Sequence, residues 1–360
     1  MRYFLVLLFG LTLIACSEDA AKVHSTEPPP RDLIFAAVED DGALAVIDGE
    51  TGSMVRTVDL SVTAHGARVK VAVHNVQADP NGSTVWLTAM PSAEGGAHTG
   101  GAMMEELIGV DINTYSVVSR IQLGAELHVA HVVIYRTIAY VTANQADAVL
   151  VVDLAQSRVV RSIRLPNGTG PHGLRITPDG RLLAVAGMGD GSLLLIDTAR
   201  DSVTRYALPG RAVQTAILPD GSAALATIYD TRQVAHLNLL SQAMVLFNLP
   251  TTSAGPVQLY PSPDSRSVWV ADQGMLGNDP AGRSLIEIDA RTGELRHTVS
   301  VDPAPHGVVM NAEGTKAWTT TLVNGSVQAI DTVAGVVLST TAVGNKPNGI
   351  SCRHVEGVMP

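Results

Sequence analysis

The chain has 360 residues, of which 46% are hydrophobic and 16% charged, so it can bury a sizeable core and is too poor in charge to be a disordered chain. Its formal net charge is −10, and Lys and Arg form no cluster, which excludes a nucleic-acid partner because phosphate contacts need clustered basic side chains. Phosphate loops and dinucleotide-binding fingerprints are absent, so no nucleotide cofactor is expected.

The first residues of the chain have the features of a secretory signal. Arg2 is the only charged residue before Glu18, and an apolar run from residue 3 to residue 15 lies between them. That run is too short to span a bilayer, which takes about 20 apolar residues in a helix. A short basic region, an apolar region and a small residue before the cleavage point are typical of a signal, so we expect residues 1–15 to be removed on export.

The sequence Leu-Ile-Ala-Cys at residues 13–16 resembles a bacterial lipobox. The resemblance implies cleavage before Cys16 and acylation of Cys16, so the membrane would be a partner through this lipid. Residues 16–31 are polar and end in three prolines followed by Arg31, a composition that favours an extended tether. Because Ser17 rather than Asp follows the cysteine, we expect an extracytoplasmic protein anchored to the outer membrane and facing the periplasm.

From residue 32 onward the sequence repeats a unit of strand, turn, strand, loop and strand. In the clearest unit, Pro-His-Gly at residues 171–173 opens a strand, Pro-Asp-Gly at residues 178–180 forms the turn, and a later strand ends at Asp197. An Asp or Asn at this strand end suits a following turn, since its side chain bonds the backbone two residues on. It recurs seven times, at Asp48, Asp111, Asp153, Asp197, Asn238, Asp289 and Asp331.

The residue six positions before each unit's first turn gives a second count of seven. These aligned residues are His74, His128, His172, Val213, Val257, His306 and Asn348. The last unit contains only its first strand, whereas the segment from residue 33 to residue 60 lacks that strand. We therefore expect residues 348–353 to pair beside residues 33–38 and to close a ring, which removes unpaired sheet edges. The sequence predicts an all-β fold, a seven-bladed β-propeller of four-stranded blades over residues 32–360.

Two features resemble a known family of repeats. Tyr-Val-Thr-Ala-Asn at residues 140–144 and the Pro-His-Gly strand starts are similar to the YVTN-repeat propellers. The resemblance covers most of the mature chain and implies the fold, but it leaves the function open. Similar propellers include surface-layer proteins, lactonases, the d1-haem domain of nitrite reductase and the copper-bearing propeller of nitrous oxide reductase.

The propeller fold would bring several imidazole and thioether groups to one mouth of the central channel. The first strand of each blade lines the channel, so its starting residues meet there, together with the loops between second and third strands. The candidate metal ligands are His74, His128, His172, His306, His131, Met188 and Met275. Strand alternation is expected to turn His131 to the opposite side of its blade from His128.

These ligand types suggest a metal. Imidazole binds zinc, copper, iron and nickel, and thioether selects copper, so we expect a copper ion held for metal handling or electron transfer. Haem is the alternative cofactor, although the absence of Cys-x-x-Cys-His excludes covalent c-type haem. A glycine-rich insertion at residues 90–106 carries His98, Met103 and Met104 and is expected over the same mouth.

Other functions remain open at this stage. The histidines could be structural, in a non-catalytic scaffold that binds a protein partner on its loop face. A lactonase-type hydrolase could instead use Asp190, Asp230 and Asp272 in the loops of the same face, but no Gly-x-Ser-x-Gly motif is present and no catalytic residue is identified. The sequence favours a binding protein over an enzyme. Cys352 would be the single cysteine of the mature chain apart from the acylated one, a small core residue without an internal disulfide.

Overall fold

The computed structural model describes part of the chain, namely residues 32–64, 67–80, 82–91 and 104–354. Within these residues every regular element is a β-strand, and no helix there is long and apolar enough to cross a membrane. The expected signal (1–15), the tether (16–31) with Cys16, and the part of the insertion that contains His98 and Met103 lie outside the described residues.

Seven four-stranded antiparallel sheets form the blades of a β-propeller, as the repeats predict. Blade 1 consists of β30 (Pro347–His354), β1 (Asp32–Val38), β2 (Ala43–Asp48) and β3 (Met54–Asp59). Blade 2 consists of β6 (Val71–Ala78), β7 (Thr84–Pro91), β8 (Glu105–Asp111) and β9 (Ser116–Gly124). Between blades 1 and 2 the chain forms a small hairpin of β4 (Val62–Ala64) and β5 (Ala67–Val69).

The remaining five blades follow in chain order, each written from its innermost strand outward. Blade 3 contains β10 (Val129–Tyr135), β11 (Ile138–Ala143), β12 (Ala148–Asp153) and β13 (Arg158–Arg164); blade 4 contains β14 (Pro171–Ile176), β15 (Leu182–Gly187), β16 (Ser192–Asp197) and β17 (Val203–Ala207). Blade 5 contains β18 (Ala212–Ile217), β19 (Ala223–Ile228), β20 (Gln233–Asn238) and β21 (Met244–Asn248); blade 6 contains β22 (Pro256–Pro261), β23 (Ser267–Gly274), β24 (Ala281–Asp289) and β25 (Leu295–Ser300). Blade 7 contains β26 (Pro305–Met310), β27 (Lys316–Thr321), β28 (Ser326–Asp331) and β29 (Val336–Ala342).

The C-terminal strand closes the ring, which confirms the predicted pairing. β30 pairs antiparallel with β1, from Leu33 opposite Arg353 to Val38 opposite Pro347, and forms the innermost strand of blade 1. Cys352 lies opposite Ile34 in this pair and is fully buried in the apolar core, as expected. Closure covers the edge of β1 with β30, so that blade 1 has four strands like the other six blades.

The blades stack through apolar side chains, and the seven turn residues act locally. Val149 and Val151 of blade 3 share one buried cluster with Leu183 and Val185 of blade 4, and such contacts hold neighbouring sheets face to face. Each strand-ending Asp or Asn accepts hydrogen bonds from backbone amides two or three residues on, as Asp48 does from residues 50 and 51. The prediction that these seven residues serve turns is therefore confirmed.

Candidate metal centre

Each inner strand begins with a β-bulge, and this local feature positions the site. In β14, Pro171 lies opposite Gly187 and Leu174 lies opposite Val185, so two residues of β14 face one residue of β15. The other six inner strands show the same interruption. We call the two residues of each inner strand that face one residue of the next strand the first and second bulge positions. Because all seven bulges lie at one mouth of the channel, the residues at these positions surround the axis.

The bulge positions hold several polar residues. From blade 2 round to blade 1, the first bulge position is occupied by His74, Ala130, His172, Val213, Val257, His306 and Asn348. The second is occupied by Asn75, His131, Gly173, Gln214, Gln258, Gly307 and Gly349. Histidines therefore stand on the consecutive blades 2, 3 and 4, as the sequence predicted, and again on blade 7.

The alignment that placed His128 at a strand start was wrong. His128 precedes β10, is exposed and has a φ of 50°, while Ala130 occupies the position equivalent to His172. The cause is the hairpin that follows β10. Val132 and Val141 pair across it, whereas Leu174 and Val185 pair across the blade 4 hairpin, which is two residues longer. Counting backward from the turn therefore gave a residue two positions too early.

The expectation for His131 was also wrong, for a related reason. Strict alternation would turn this side chain away from the channel mouth, but the bulge between Val129 and Val132 breaks the alternation. His131 consequently lies with His74 and His172. The ring centroids are 5.5 Å apart for His74 and His131, 5.4 Å for His74 and His172, and 4.7 Å for His131 and His172.

The three imidazoles form a group that can chelate one ion. Each offers one nitrogen, and these three atoms lie within 4.8 Å of one another. A single point therefore exists within about 2.8 Å of all three nitrogens, so movements of less than about 1 Å would bring each nitrogen to the ~2.0–2.1 Å of a zinc–imidazole bond. The Nε2 atoms of His74 and His172 are 3.4 Å apart. We call these three residues the His triad.

Burial keeps His131, His172 and His306 neutral, which leaves lone pairs for a metal. Burial lowers the pKa of His172 to about 3, and the nearby His74 adds to the shift. The pKa of His131 lies well below its ordinary value for the same main reason, with further contributions from His172, His74 and Arg175. Burial also lowers the pKa of His306 to about 3. Neutral imidazole is the form that binds metal ions.

The hydrogen bonds of His172 leave its Nε2 atom ready to bind a metal. Its Nδ1 lies 2.9 Å from the carbonyl oxygen of Val213, which can only accept, so the proton is on Nδ1. His74 has a partner for either tautomer. Its Nε2 can donate to His172, and its Nδ1 lies 3.1 Å from the amide nitrogen of Asn348 and 3.6 Å from the carboxylate of Glu39. The amide nitrogen of Asn348 can only donate, so this contact places the proton of His74 on Nε2. Ligation through Nε2 would require Asn348 to turn away, so that the proton moves to Nδ1 and faces Glu39.

His131 is held in the less favourable tautomer. The side-chain oxygen of Gln214 accepts from the Thr215 amide, so the NH₂ group of Gln214 faces His131 Nδ1 at 3.2 Å. This contact makes Nδ1 an acceptor and places the proton on Nε2. That atom is buried and, among the described residues, has no hydrogen-bond partner. Binding an ion through Nε2 therefore requires a change at Gln214.

A carboxylate lies beside the triad, and sequence reasoning missed it. Glu39 lies in the turn after β1, accepts from Lys346 at 2.7 Å and from Asn348 at 2.5 Å, and approaches His74. Burial opposes ionisation of Glu39, but the hydrogen bond and charge of His74 and the contact with Lys346 outweigh burial and lower its pKa. The ionised carboxylate brings negative charge to the mouth. Its turn position carried no repeat signal that could have identified it.

Glu105 was also missed and acts on the segment before β10. Its buried carboxylate accepts from the backbone amides of Leu127, His128 and Val129 at 2.8, 2.9 and 2.6 Å. These bonds cross from blade 2 to blade 3 and fix the start of the strand that carries His131. The backbone of His128 thus helps to position the site, whereas its side chain is exposed.

The other predicted ligands have different places. His306 lies outside the His triad, and its Nδ1 donates to Gln273 while its buried Nε2 has no partner among the described residues. Met188 follows β15 and its amide donates to Gly170, just before β14, so its loop borders the mouth. Met275 follows β23, and its side chain is 44% exposed. Roles for these side chains in metal binding stay predictions.

The three aspartates considered for a hydrolase have structural partners, and Asp272 lies within β23 rather than in a loop. Asp190 pairs with Arg205 at 2.8 Å, and Asp230 pairs with Arg211 at 2.6 Å. Asp272 is buried and accepts from the backbone amides of residues 254 and 255 and from the hydroxyls of residues 253 and 284. These contacts explain each carboxylate without a catalytic role.

Comparison with known proteins finds similarity of fold alone. No family model and no curated protein matches the sequence. The chain is similar to hydrazine synthase from Kuenenia stuttgartiensis (TM-score 0.63, 17% identity, 78% of this chain and 91% of that chain). It is also similar to a streptogramin B lyase (TM-score 0.62, 15% identity, 78% and 86%) and to a Bacteroides fragilis protein provisionally described as a 6-phosphogluconolactonase (TM-score 0.66, 13% identity, 89% and 98%). At these identities the class is established as β-propeller and nothing finer.

Proposed function

We propose that this protein is an exported, lipid-anchored propeller that binds a transition-metal ion, copper by preference, at its His triad, for metal handling or electron transfer. The observation that carries the proposal is the convergence of three imidazole nitrogens within 4.8 Å on three consecutive blades. One of the three rings is fully buried, and burial lowers the pKa of both His131 and His172 enough to keep these rings neutral at physiological pH.

A purely structural role explains this arrangement less well. Structural histidines satisfy their polar atoms within the fold, because leaving a buried donor unpaired costs about 1–3 kcal/mol. His172 and His306 each use Nδ1 for a protein hydrogen bond, but the Nε2 atoms of His131 and His306 are buried and have no partner in the part of the chain that the structure describes. A bound ion would use the free coordination capacity of the triad.

The donor set suits several ions, and copper is our choice among them. Three imidazoles bind copper, zinc, iron and nickel, whereas a thioether would select copper. The Met188 loop borders the same mouth, because its backbone amide bonds to the residue before β14. Glu39 adds the negative charge that partly offsets a divalent cation, and it can hold the proton of His74 on Nδ1.

Metal analysis on matched variants tests this proposal. Protein purified from its native compartment should contain close to one equivalent of copper by elemental analysis, and isothermal titration should show one site. His172→Ala should lose most of the bound metal with its thermal melting retained. His128→Ala is the matched control, since this exposed ring lies outside the triad, and it should bind metal like the wild type. Metal-free wild type that also fails to bind copper, zinc or nickel in titration would contradict the proposal.

The anchor is a separate part of the proposal and needs its own experiment. Acylation of Cys16 would hold the protein on a membrane, and stable anchoring takes more than one acyl chain. Cys16→Ser should move the protein from the membrane fraction to the soluble fraction, or leave an uncleaved precursor. An unchanged membrane fraction of processed protein after this substitution would count against lipid anchoring and would leave the metal proposal untouched.

A further inference from the structure

The second strand of each blade places one residue opposite the bulge of the inner strand. In blade order these bulge-facing residues are Ala37, Thr88, Thr142, Ala186, Thr227, Ala271 and Thr320. All seven are completely buried. The position is thus occupied by alanine on three blades and by threonine on four. A buried hydroxyl needs hydrogen-bond partners, so the four threonines are expected to make specific contacts there.

The four threonine hydroxyls make the same pair of hydrogen bonds. Each accepts from the backbone amide at the second bulge position of its own blade and donates to the carbonyl at the first bulge position of the next blade. The amides are those of Asn75, His131, Gln214 and Gly307, at 2.8–3.1 Å. The carbonyls are those of Ala130, His172, Val257 and Asn348, at 2.6–2.9 Å. Each hydroxyl therefore joins two neighbouring blades at the level of the candidate metal centre.

Thr142 joins two members of the His triad in this way. Its hydroxyl accepts from the amide of His131 at 2.9 Å and donates to the carbonyl of His172 at 2.6 Å. A single oxygen atom thus sets the separation of these two backbones, whose rings have their centroids 4.7 Å apart. Thr88 makes the corresponding link between blades 2 and 3.

Blade 4 shows what takes the place of the hydroxyl when the bulge-facing residue is alanine. Ala186 has no side-chain donor, and the carbonyl of Val213, at the first bulge position of blade 5, accepts instead from Nδ1 of His172 at 2.9 Å. The imidazole makes the contact to the next blade that threonine makes elsewhere, and the same bond fixes the tautomer of His172. The bulge-facing residues of blades 3 and 4 therefore both act on this one histidine.

We propose that Thr142 is a positioning residue of the metal centre, whose hydroxyl holds the backbones of His131 and His172 at the separation that lets both rings reach one ion. This inference rests on the metal site proposed above, and it names a group that acts on the site without touching the ion. Ligands held in place before binding need less ordering when the ion arrives. Because the hydroxyl bonds backbone atoms, its removal leaves both imidazoles chemically intact and changes their relative position.

Substitutions at Thr142 separate the hydroxyl from the shape of the side chain. Thr142→Val keeps the branched shape and removes the hydroxyl, so copper affinity in calorimetric titration should fall about ten- to hundredfold, as it does when outer-shell partners are lost. Thr142→Ser keeps the hydroxyl and should bind copper within a few-fold of wild type. Thr142→Ala should lose affinity like Thr142→Val, and it is the variant to use if valine prevents folding, since alanine occupies this position on three blades.

Thr321→Val is the control for the cost of deleting a buried hydroxyl. The hydroxyl of Thr321 is bonded to Ser326 within blade 7, so its loss should lower stability and leave copper affinity at the wild-type value. A loss of affinity in Thr321→Val equal to that in Thr142→Val would show a general structural effect and overturn the proposal.

Nuclear magnetic resonance of the metal-free protein separates this inference from the proposed function. The rings of His131 and His172 should show an Overhauser contact in wild type, in Thr142→Ser and in Thr321→Val, and a weaker one in Thr142→Val and Thr142→Ala. Wild type that binds no metal ion would contradict the proposed function, and the ring contact would still test positioning by Thr142. Equal copper affinity of Thr142→Val and Thr142→Ser, or an unchanged ring contact without the hydroxyl, would overturn the proposal.

Discussion

Two arcs of the same channel mouth use the same backbone for different purposes. On blades 2, 3 and 4 the bulges present His74, His131 and His172, whereas on blades 5 and 6 the equivalent first positions are Val213 and Val257. Strand pairing and bulge are alike in both arcs. The fold therefore supplies the positions, and the residue at one or two positions per blade decides whether an arc can bind an ion.

We call the bulges of blades 5 and 6 the valine arc and those of blades 2, 3 and 4 the histidine arc. The valine arc nevertheless supports the histidine arc. The carbonyl of Val213 fixes the tautomer of His172, and the amide of Gln214 reaches His131. Both contacts come from β18, the strand that follows the last histidine strand in the ring. The arc without histidines thus decides which nitrogens of the other arc carry protons, as outer-shell partners do in metal sites.

Removing β30, the strand between His306 and the histidine arc, should lower stability the most, because it opens the ring. Deletion of residues 347–360 takes away the inner strand of blade 1 and leaves β1 with an open edge, so we expect loss of the cooperative fold in circular dichroism melting. Deletion of residues 355–360 alone is the control and should melt like the full chain. Equal melting of both truncations would contradict closure by β30.

Replacement of one histidine distinguishes the arcs by metal affinity. His131→Ala should weaken metal binding by more than the roughly 10- to 100-fold that loss of an outer-shell partner costs. Gln258→Ala changes the same bulge position in the valine arc and should leave affinity within a few-fold of wild type. Calorimetric titration with copper compares the two variants. Similar losses in both would show that the ion is not bound by the histidine arc.

The pH dependence of stability follows from the lowered pKa values. An unfolded histidine titrates near its ordinary pKa of 6.5, whereas His172 and His306 titrate with a pKa of about 3 in the fold. The unfolded state therefore binds protons first as pH falls, so the stabilisation present above pH 6.5 is lost between 6.5 and about 3. Each group contributes a slope of about 1.4 kcal/mol per pH unit.

His306→Gln should make that slope shallower by one proton, measured by urea unfolding of the metal-free protein between pH 7.5 and 5. Val257→Ala, a core truncation at the same bulge position, should lower stability at every pH without changing the slope. A His306→Gln slope equal to that of wild type would show that this ring is protonated normally in the fold.

The smallest change in copper affinity is expected from Gln214→Glu, which tests whether the valine arc controls the tautomer of His131. A carboxylate beside His131 Nδ1 would accept its proton and free Nε2 for the ion, so affinity for copper should rise, by about tenfold if the effect matches that of other outer-shell carboxylates. Gln258→Glu is the matched control, with no gain expected. Weaker binding by Gln214→Glu would mean that His131 does not ligate through Nε2.

The sequence predicted the features that repeat and missed those that occur once. Seven strand-ending Asp or Asn residues and the split first blade identified the propeller and its closure, because turn chemistry and strand period are local. His128 was aligned with the strand starts since the blade 3 hairpin is two residues shorter than that of blade 4, and the direction of His131 was wrong because the bulge breaks the strand alternation. Glu39 and Gln214 act through contacts between blades, which no local pattern encodes.

Anomalous diffraction from crystals soaked in copper tests the central claim most directly. Data collected at the copper absorption edge should show one strong peak between His74, His131 and His172, at about 2.0–2.1 Å from each ligating nitrogen, the distance known for zinc–imidazole bonds. The side-chain amide of Gln214 should then be turned so that its oxygen faces Nδ1 of His131. A peak elsewhere in the channel, or none at the triad under saturating copper, would contradict the account.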